Sequence, residues 1–146
     1  MNKLKVKKLR PDAKLPTYGT IDAAGADLYA CIDKNIIIAP GENKIIPIGI
    51  AIEIPINYGG FVYARSGLSI KDGLAPANCV GVIDADYRGE LLVALYNHSR
   101  ENRIIASGDR IAQIVIAPFL KAEFTVVNEL SKTQRDAGRL GSTGTK

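Results

Sequence analysis

The sequence predicts an all-β domain, an antiparallel barrel or jelly roll, and three observations carry that expectation. Nineteen of the 146 residues are isoleucine, and a side chain branched at Cβ packs well on a pleated, half-buried surface. Fourteen glycines and seven prolines divide the chain into short runs, the punctuation expected between strands. No long stretch repeats with the 3.6-residue period of a helix, and no internal repeat is present. The length suits a single domain over residues 1–146. A hydrophobic share of 47% supports a core and excludes a disordered chain.

Each element follows from local pattern. Leu4 and Val6 alternate with lysines, which predicts an edge strand with a solvated charged face. Residues 35–39 hold three consecutive isoleucines before Pro40-Gly41, a strand followed by a turn. Ile50, Ile52, Ile54 and Ile56 alternate with Ala51, Glu53 and Pro55, giving one buried face. Pro55 places that strand at an edge or ends it. Asn57-Tyr58-Gly59-Gly60 reads as a turn into a strand over 61–64, and residues 66–71 as a short helical turn. Further strands are expected over 90–97, 110–119 and 124–127. From about Ser131 the chain is rich in Gly, Ser, Thr and Arg and cannot join the core, so residues 131–146 are expected to form a flexible tail.

Composition excludes several classes of function. A net charge of +4 is too small to mark a nucleic-acid binder, and no direct nucleic-acid binding is expected. Cys31 and Cys79 lack CxxC spacing, which argues against a disulfide framework and for two small buried hydrophobes in a reducing, cytoplasmic compartment. No apolar run approaches the roughly 18 residues of a membrane span. The basic N-terminus has no apolar segment behind it, unlike a secretory signal. His98 is the sole histidine; it fits no catalytic triad and is read as a surface or loop residue. Without His or Cys clusters, a protein-held zinc or iron site is not expected.

Chemistry is concentrated in short polar clusters. Arg65-Ser66-Gly67 combines a guanidinium fork, a hydroxyl and a glycine amide, a set able to grip phosphate oxygens. Gly81-Val82-Ile83-Asp84-Ala85-Asp86-Tyr87-Arg88-Gly89-Glu90 reads as a hairpin, either one whose aspartates merely satisfy turn amides or one presenting a base edge, a carboxylate and an aromatic face on one side. Gly108-Asp109-Arg110-Ile111-Ala112-Gln113 opens a strand. Residues 135–144 carry glycines and hydroxyls suited to wrapping phosphate. The terminal Gly-Ser-Thr-Gly-Thr-Lys lacks P-loop spacing and has no helix to follow it.

Taken in order, these clusters resemble the five motifs of the homotrimeric dUTP pyrophosphatases (dUTPases). The first is Ala24-Gly25-Ala26-Asp27-Leu28, preceded by the similar stretch Leu15-Pro16-Thr17-Tyr18-Gly19-Thr20. The second is Arg65-Ser66-Gly67-Leu68 with Lys71 and Gly73. The third runs from Asn78 through Gly81, Ile83, Asp84, Asp86, Tyr87 and Gly89. The fourth is residues 108–113 and the fifth residues 135–144. The resemblance implies a jelly-roll-like antiparallel β-barrel of the β-clip type, assembled as a homotrimer whose three sites form between subunits. It implies hydrolysis of dUTP to dUMP and diphosphate, which limits uracil in DNA and supplies dUMP for thymidylate synthesis. The tail from Ser131 would be an arm closing over the site.

The resemblance also assigns roles. Asp84 would be the general base for the attacking water, a task suited to a carboxylate ionised at neutral pH. Asp27 would hold Mg²⁺ through coordinated water, the triphosphate supplying the main ligands. Arg65, Ser66, Gly67 and Gln113 match phosphate-contacting positions, and Asp109 would orient a neighbouring arginine. Asn78, Val82 and Ile83 match the uracil-reading segment. Tyr87 would pack under the deoxyribose and leave no room for a 2′-hydroxyl, with Leu92 lining the same pocket. Arg135, Gly141, Ser142, Thr143 and Gly144 follow the fifth motif. Leu140 stands where the family carries a stacking phenylalanine, and Asp136 and Arg139 stand where it carries glycines. Loss of the ring forfeits stacking worth roughly 1–3 kcal/mol.

Two other functions fit the same clusters. A dCTP deaminase of this fold would need a glutamate where Asp84 stands. A non-catalytic regulator that binds nucleotide to switch a partner protein would tolerate the altered fifth motif.

Overall fold

A computed structural model describes residues 3–138. In chain order the strands are β1 (Lys5–Lys8), β2 (Thr17–Tyr18), β3 (Ala26–Tyr29), β4 (Ile36–Ile38), β5 (Asn43–Pro47) and β6 (Ile50–Glu53). Then come β7 (Tyr58–Tyr63), helix α1 (Ser66–Asp72), β8 (Leu74–Pro76), β9 (Gly81–Ile83), β10 (Leu92–Asn97), β11 (Arg103–Ile105) and β12 (Arg110–Pro118). Every strand pair is antiparallel. The largest sheet has the order β2-β3-β12-β7-β9, a second runs β5-β10-β8, and β1-β6 and β11-β4 form two-stranded ribbons. The class is all-β and jelly-roll-like, as expected from the β-branched composition.

The inward faces are mostly aliphatic. Leu28, Ile38, Ile46, Ile48, Ile50, Leu91, Leu95, Ile105 and Ile111 are all fully buried. Within this core sits one buried polar side chain, Asn97. Its Nδ2 donates to the carbonyls of Ile38 and Glu101, each at 2.8 Å, and its Oδ1 accepts from the Ser99 amide and hydroxyl at 2.9 and 2.7 Å. Every polar atom is thus satisfied, which a buried amide requires. His98 follows on the exposed side, as the sequence suggests.

Alternation predicted β6 well, and Pro55 ends it. Ile50, Ile52 and Ile54 are buried, but Ile56 lies beyond the strand and is 83% exposed. The edge strand β1 pairs with β6 in the register Lys5↔Glu53, and Lys5 Nζ lies 2.9 Å from Glu53 Oε1.

Four expectations require correction. Gly59 and Gly60 belong to β7 and not to a turn; a Cβ on Gly60 would come within 2.9 Å of Ile54 Cδ1, so glycine is the residue that lets β7 pack there. Residues 124–127 form no strand: Phe124 and Val126 are 96% and 98% exposed, and the segment pairs with no strand among the described residues. Residues 84–91 are not a hairpin turn. β9 pairs with β7 whereas β10 pairs with β5 and β8, so the segment crosses from one sheet to another. Of the two free thiols, Cys31 is buried and burial raises its pKa, but Cys79 is exposed. Cys79 sits in the turn before β9 with φ 61°.

Candidate active site

Register brings the phosphate-type residues together. Asp27 on β3 stands opposite Gln113 on β12, and Gln113 stands opposite Tyr63 on β7. Arg65 follows two residues beyond Tyr63. Arg65 Nε donates to Asp27 Oδ1 at 2.7 Å, and Arg110 Nη1 donates to Oδ2 at 3.2 Å. Arg110 reaches that carboxylate because β12 is bulged between Arg110 and Ala112. The extra residue flips the alternation, leaving Ile111 and Ala112 buried while Arg110 shares the face of Gln113. Arg65 Nη1 also donates to the Arg110 carbonyl at 3.0 Å.

Gln113 Nε2 donates to the Ala64 carbonyl at 2.9 Å and so fixes the residue before Arg65. A Cβ on Gly25 would stand 2.5 Å from Gln113 Oε1, which explains the glycine beside Asp27. Ser66 and Gly67 open α1 and are exposed, with no side-chain cap on the helix. A groove of about 590 Å³ lies against Arg65 and Arg110 and is flanked by Arg103. Among the described residues Asp109 makes no ion pair with an arginine. Its Oδ2 accepts the Ala106 amide at 2.8 Å and closes the turn before β12.

A second cleft, of about 170 Å³, is lined by Val82, Ile83, Asp84, Tyr87, Glu90 and Leu92. Five of these were singled out from sequence. Asp84 is exposed, and its carbonyl accepts the Tyr87 amide at 3.1 Å in a β-turn. The Tyr87 hydroxyl donates to the Glu90 carbonyl at 2.9 Å. Arg88 Nη1 donates to the carbonyls of Ala85 and Tyr87 at 2.6 and 2.8 Å, bracing the turn. Asn78 is exposed in the turn before β9, beside Gly81, and does not line this cleft.

The two groups lie apart on one chain. Gly60 pairs with Ile83, so Asp84 falls level with Gly59 near the start of β7, whereas Arg65 lies two residues past the strand's end at Tyr63. The four strand residues from Gly59 to Tyr63 alone set the two backbones about 13 Å apart. Arg135 is exposed in a turn whose Gly138 amide donates to the Arg135 carbonyl at 3.0 Å. Leu140, Gly141 and Ser142 lie outside the described residues.

Sequence reasoning did not single out Arg110 or Glu90. Arg110 looked like a surface ion-pairing residue in Gly108-Asp109-Arg110, and only the bulge turns it toward Asp27.

The donor set can be tested against Mg²⁺. No group of three His, Cys, Asp or Glu side chains converges among the described residues. Asp27 gives one lone pair of each oxygen to an arginine and keeps others free. Such a carboxylate fits a contact through coordinated water and not an all-protein cage.

Comparison with known proteins agrees with these features. A dUTPase family model matches residues 11–144. The deoxyuridine 5'-triphosphate nucleotidohydrolase of Syntrophotalea carbinolica is 48% identical over 141 residues, 97% of this chain and 96% of that protein. The enzyme of the same name from Desulfitobacterium hafniense is 51% identical over 149 aligned positions, covering 99% of each. Among solved structures, the Staphylococcus bacteriophage 80alpha dUTPase with dUpNHpp superposes with a TM-score of 0.86 at 28% identity, covering 99% of both chains. A mutant dUTPase from phage phi11 of S. aureus, described for its coordination of a structural Mg(II) ion, gives 0.81 at 27% identity, covering 90% of this chain and all of that one. With a family model matching most of its length and relatives matching end to end, the chain belongs to the dUTPase family.

Proposed function

We propose that this chain hydrolyses dUTP to dUMP and diphosphate, with sites shared between the subunits of a homotrimer. The single observation that carries the shared site is that the Arg65 group and Asp84 lie at opposite ends of β7. Asp84 and the phosphate-gripping residues must meet at one triphosphate, which this placement favours if a second copy supplies one of them. Family membership and the full-length relatives support the reaction.

In this reading Val82 and Ile83 present backbone donors and acceptors to uracil, aided by Asn78. Tyr87 and Leu92 wall the deoxyribose. Arg65, Ser66, Gly67 and Gln113 hold phosphate oxygens, Asp27 keeping Arg65 extended. Asp84 takes a proton from water, the water oxygen bonds to the α-phosphorus, and the bond from that phosphorus to the bridging oxygen breaks to release diphosphate. Positioning and charge neutralisation carry most of the rate for such transfers. Mg²⁺ on the triphosphate, when bound, adds charge neutralisation, and Asp27 would hold it through water. Residues 131–146, with Arg135, Leu140, Gly141 and Ser142, would close as an arm over the phosphates. Two free cysteines suit the reducing cytoplasm, and among the described residues no helix is long and apolar enough to cross a membrane.

The test is a panel of deoxy- and ribonucleoside triphosphates, with and without Mg²⁺, read as diphosphate release. Selective, Mg²⁺-dependent release from dUTP is expected. Ammonia release from dCTP, or binding of dUTP without turnover, would overturn the assignment in favour of the deaminase or the regulator.

A further inference from the structure

We infer that Glu90 is a positioning residue for sugar selection, an inference that rests on assigning the 82–92 cleft to the nucleoside. Glu90 closes a chain of fixed points running from the core to the Tyr87 ring. The first point is Gly49. Its φ is 74°, and a Cβ there would lie 2.6 Å from Cys31 Sγ and 2.9 Å from Ala13 Cβ. The turn is therefore wedged against buried side chains, and its amide has one direction. That amide donates to Glu90 Oε1 at 2.8 Å. Two backbone bonds flank the tie, Ile48 N to Leu91 O at 3.0 Å and Leu91 N to Ile50 O at 2.8 Å.

The second link runs outward. The Tyr87 hydroxyl donates to the Glu90 carbonyl at 2.9 Å. Gly89 permits the approach, because a Cβ at that position would overlap the hydroxyl. The Tyr87 ring thus forms the cleft wall while its far end is anchored to a residue whose own side chain is anchored to the core. A ring held at both ends excludes a 2′-hydroxyl; a ring free to swing admits one. Glu90 makes no salt bridge among the described residues. Its role is therefore to accept a hydrogen bond, which glutamine does equally well.

The experiment compares kcat/KM for dUTP and UTP, by diphosphate release, in the full-length wild type, E90Q, E90A and Y87F. E90A is expected to lower the dUTP-to-UTP ratio about tenfold, mainly through KM, and E90Q to stay within about twofold of wild type. Y87F, which removes only the outer tie, is expected to lower the ratio as well, and it carries the test if E90A does not fold. A ratio unchanged in E90A or Y87F, or E90Q as impaired as E90A, would overturn the tether. A wild type that hydrolyses UTP as readily as dUTP would instead remove the assignment of the cleft itself.

Discussion

Asp27 and Arg65 form a partly buried ion pair, 2.7 Å from Nε to Oδ1, with only 14% and 25% of their side chains exposed. Arg110 completes the arrangement at 3.2 Å. One carboxylate therefore keeps two guanidinium groups in place at the end of β12. Replacing it with a methyl group leaves two like charges adjacent and one of them poorly solvated. D27A is expected to lose about 2 kcal/mol of stability, the scale of a charge-assisted hydrogen bond. Its KM for dUTP should rise about tenfold or more, in keeping with a loss of that size. Urea unfolding and steady-state kinetics measure the two effects separately.

Asp84 is assigned as the base, and asparagine keeps its shape while removing its basicity. D84N should lower kcat by about 10²–10⁴-fold. Affinity for the non-hydrolysable analogue dUpNHpp, measured by calorimetry, should stay within about threefold, since asparagine keeps the side chain's shape and hydrogen-bonding oxygen. A variant with near wild-type turnover would remove Asp84 from the mechanism.

Asn97 joins β10 to the loop behind it through four hydrogen bonds with no exposed surface. N97A strands the Ile38 carbonyl in the core and opens a small cavity. The expected cost is about 2–4 kcal/mol, a fall of roughly 5–15 °C in Tm for a domain of this size. Thermal unfolding followed by circular dichroism reads it directly.

Much of this was legible in the sequence, and the reason is local. Ile50, Ile52 and Ile54 alternate because one face of β6 is buried, and Pro55 stops the strand. The residues of the nucleoside cleft are close in sequence, so four of its six lining residues were found in one motif and Leu92 just beyond it. What stayed hidden depends on distant partners. Thr17–Tyr18 and Leu74–Pro76 are strands only because β3 and β10 pair with them. Residues 124–127 have strand composition but pair with no strand among the described residues. Arg110 faces Asp27 through a bulge, and Glu90 meets Gly49 across 41 positions. Neither leaves a periodic trace.

Arg10 bonds Asp12 at 3.2 Å and Asp33 at 2.5 Å, and it holds both carboxyls below their ordinary value of 3.8. A carboxyl depressed on folding contributes stability above its unfolded pKa, and the contribution disappears as pH falls through the folded value. R10A lacks this contribution at every pH. The Tm difference between wild type and R10A should therefore be present at neutral pH and shrink as the pH falls below the ordinary carboxyl value of 3.8. It should also be small, because exposed ion pairs are screened. Tm measured from neutral pH down to about pH 2 tests the sign; a gap that widens in acid would contradict it.

The placement of Asp84 and the Arg65 group at opposite ends of β7 makes a prediction about mixtures. D84N and R65A each disable every site of their own assembly. When the two chains are unfolded together and refolded, some sites draw Arg65 from one variant and Asp84 from the other. With equal amounts and random assembly, about a quarter of the sites regain both residues, so activity should return to about that fraction of wild type. If one chain supplied both residues to its own site, no mixture would recover activity, because each site would still carry one of the two defects. Recovery also depends on exchange, so mixing the two variants without unfolding should restore little at first and more as subunits redistribute.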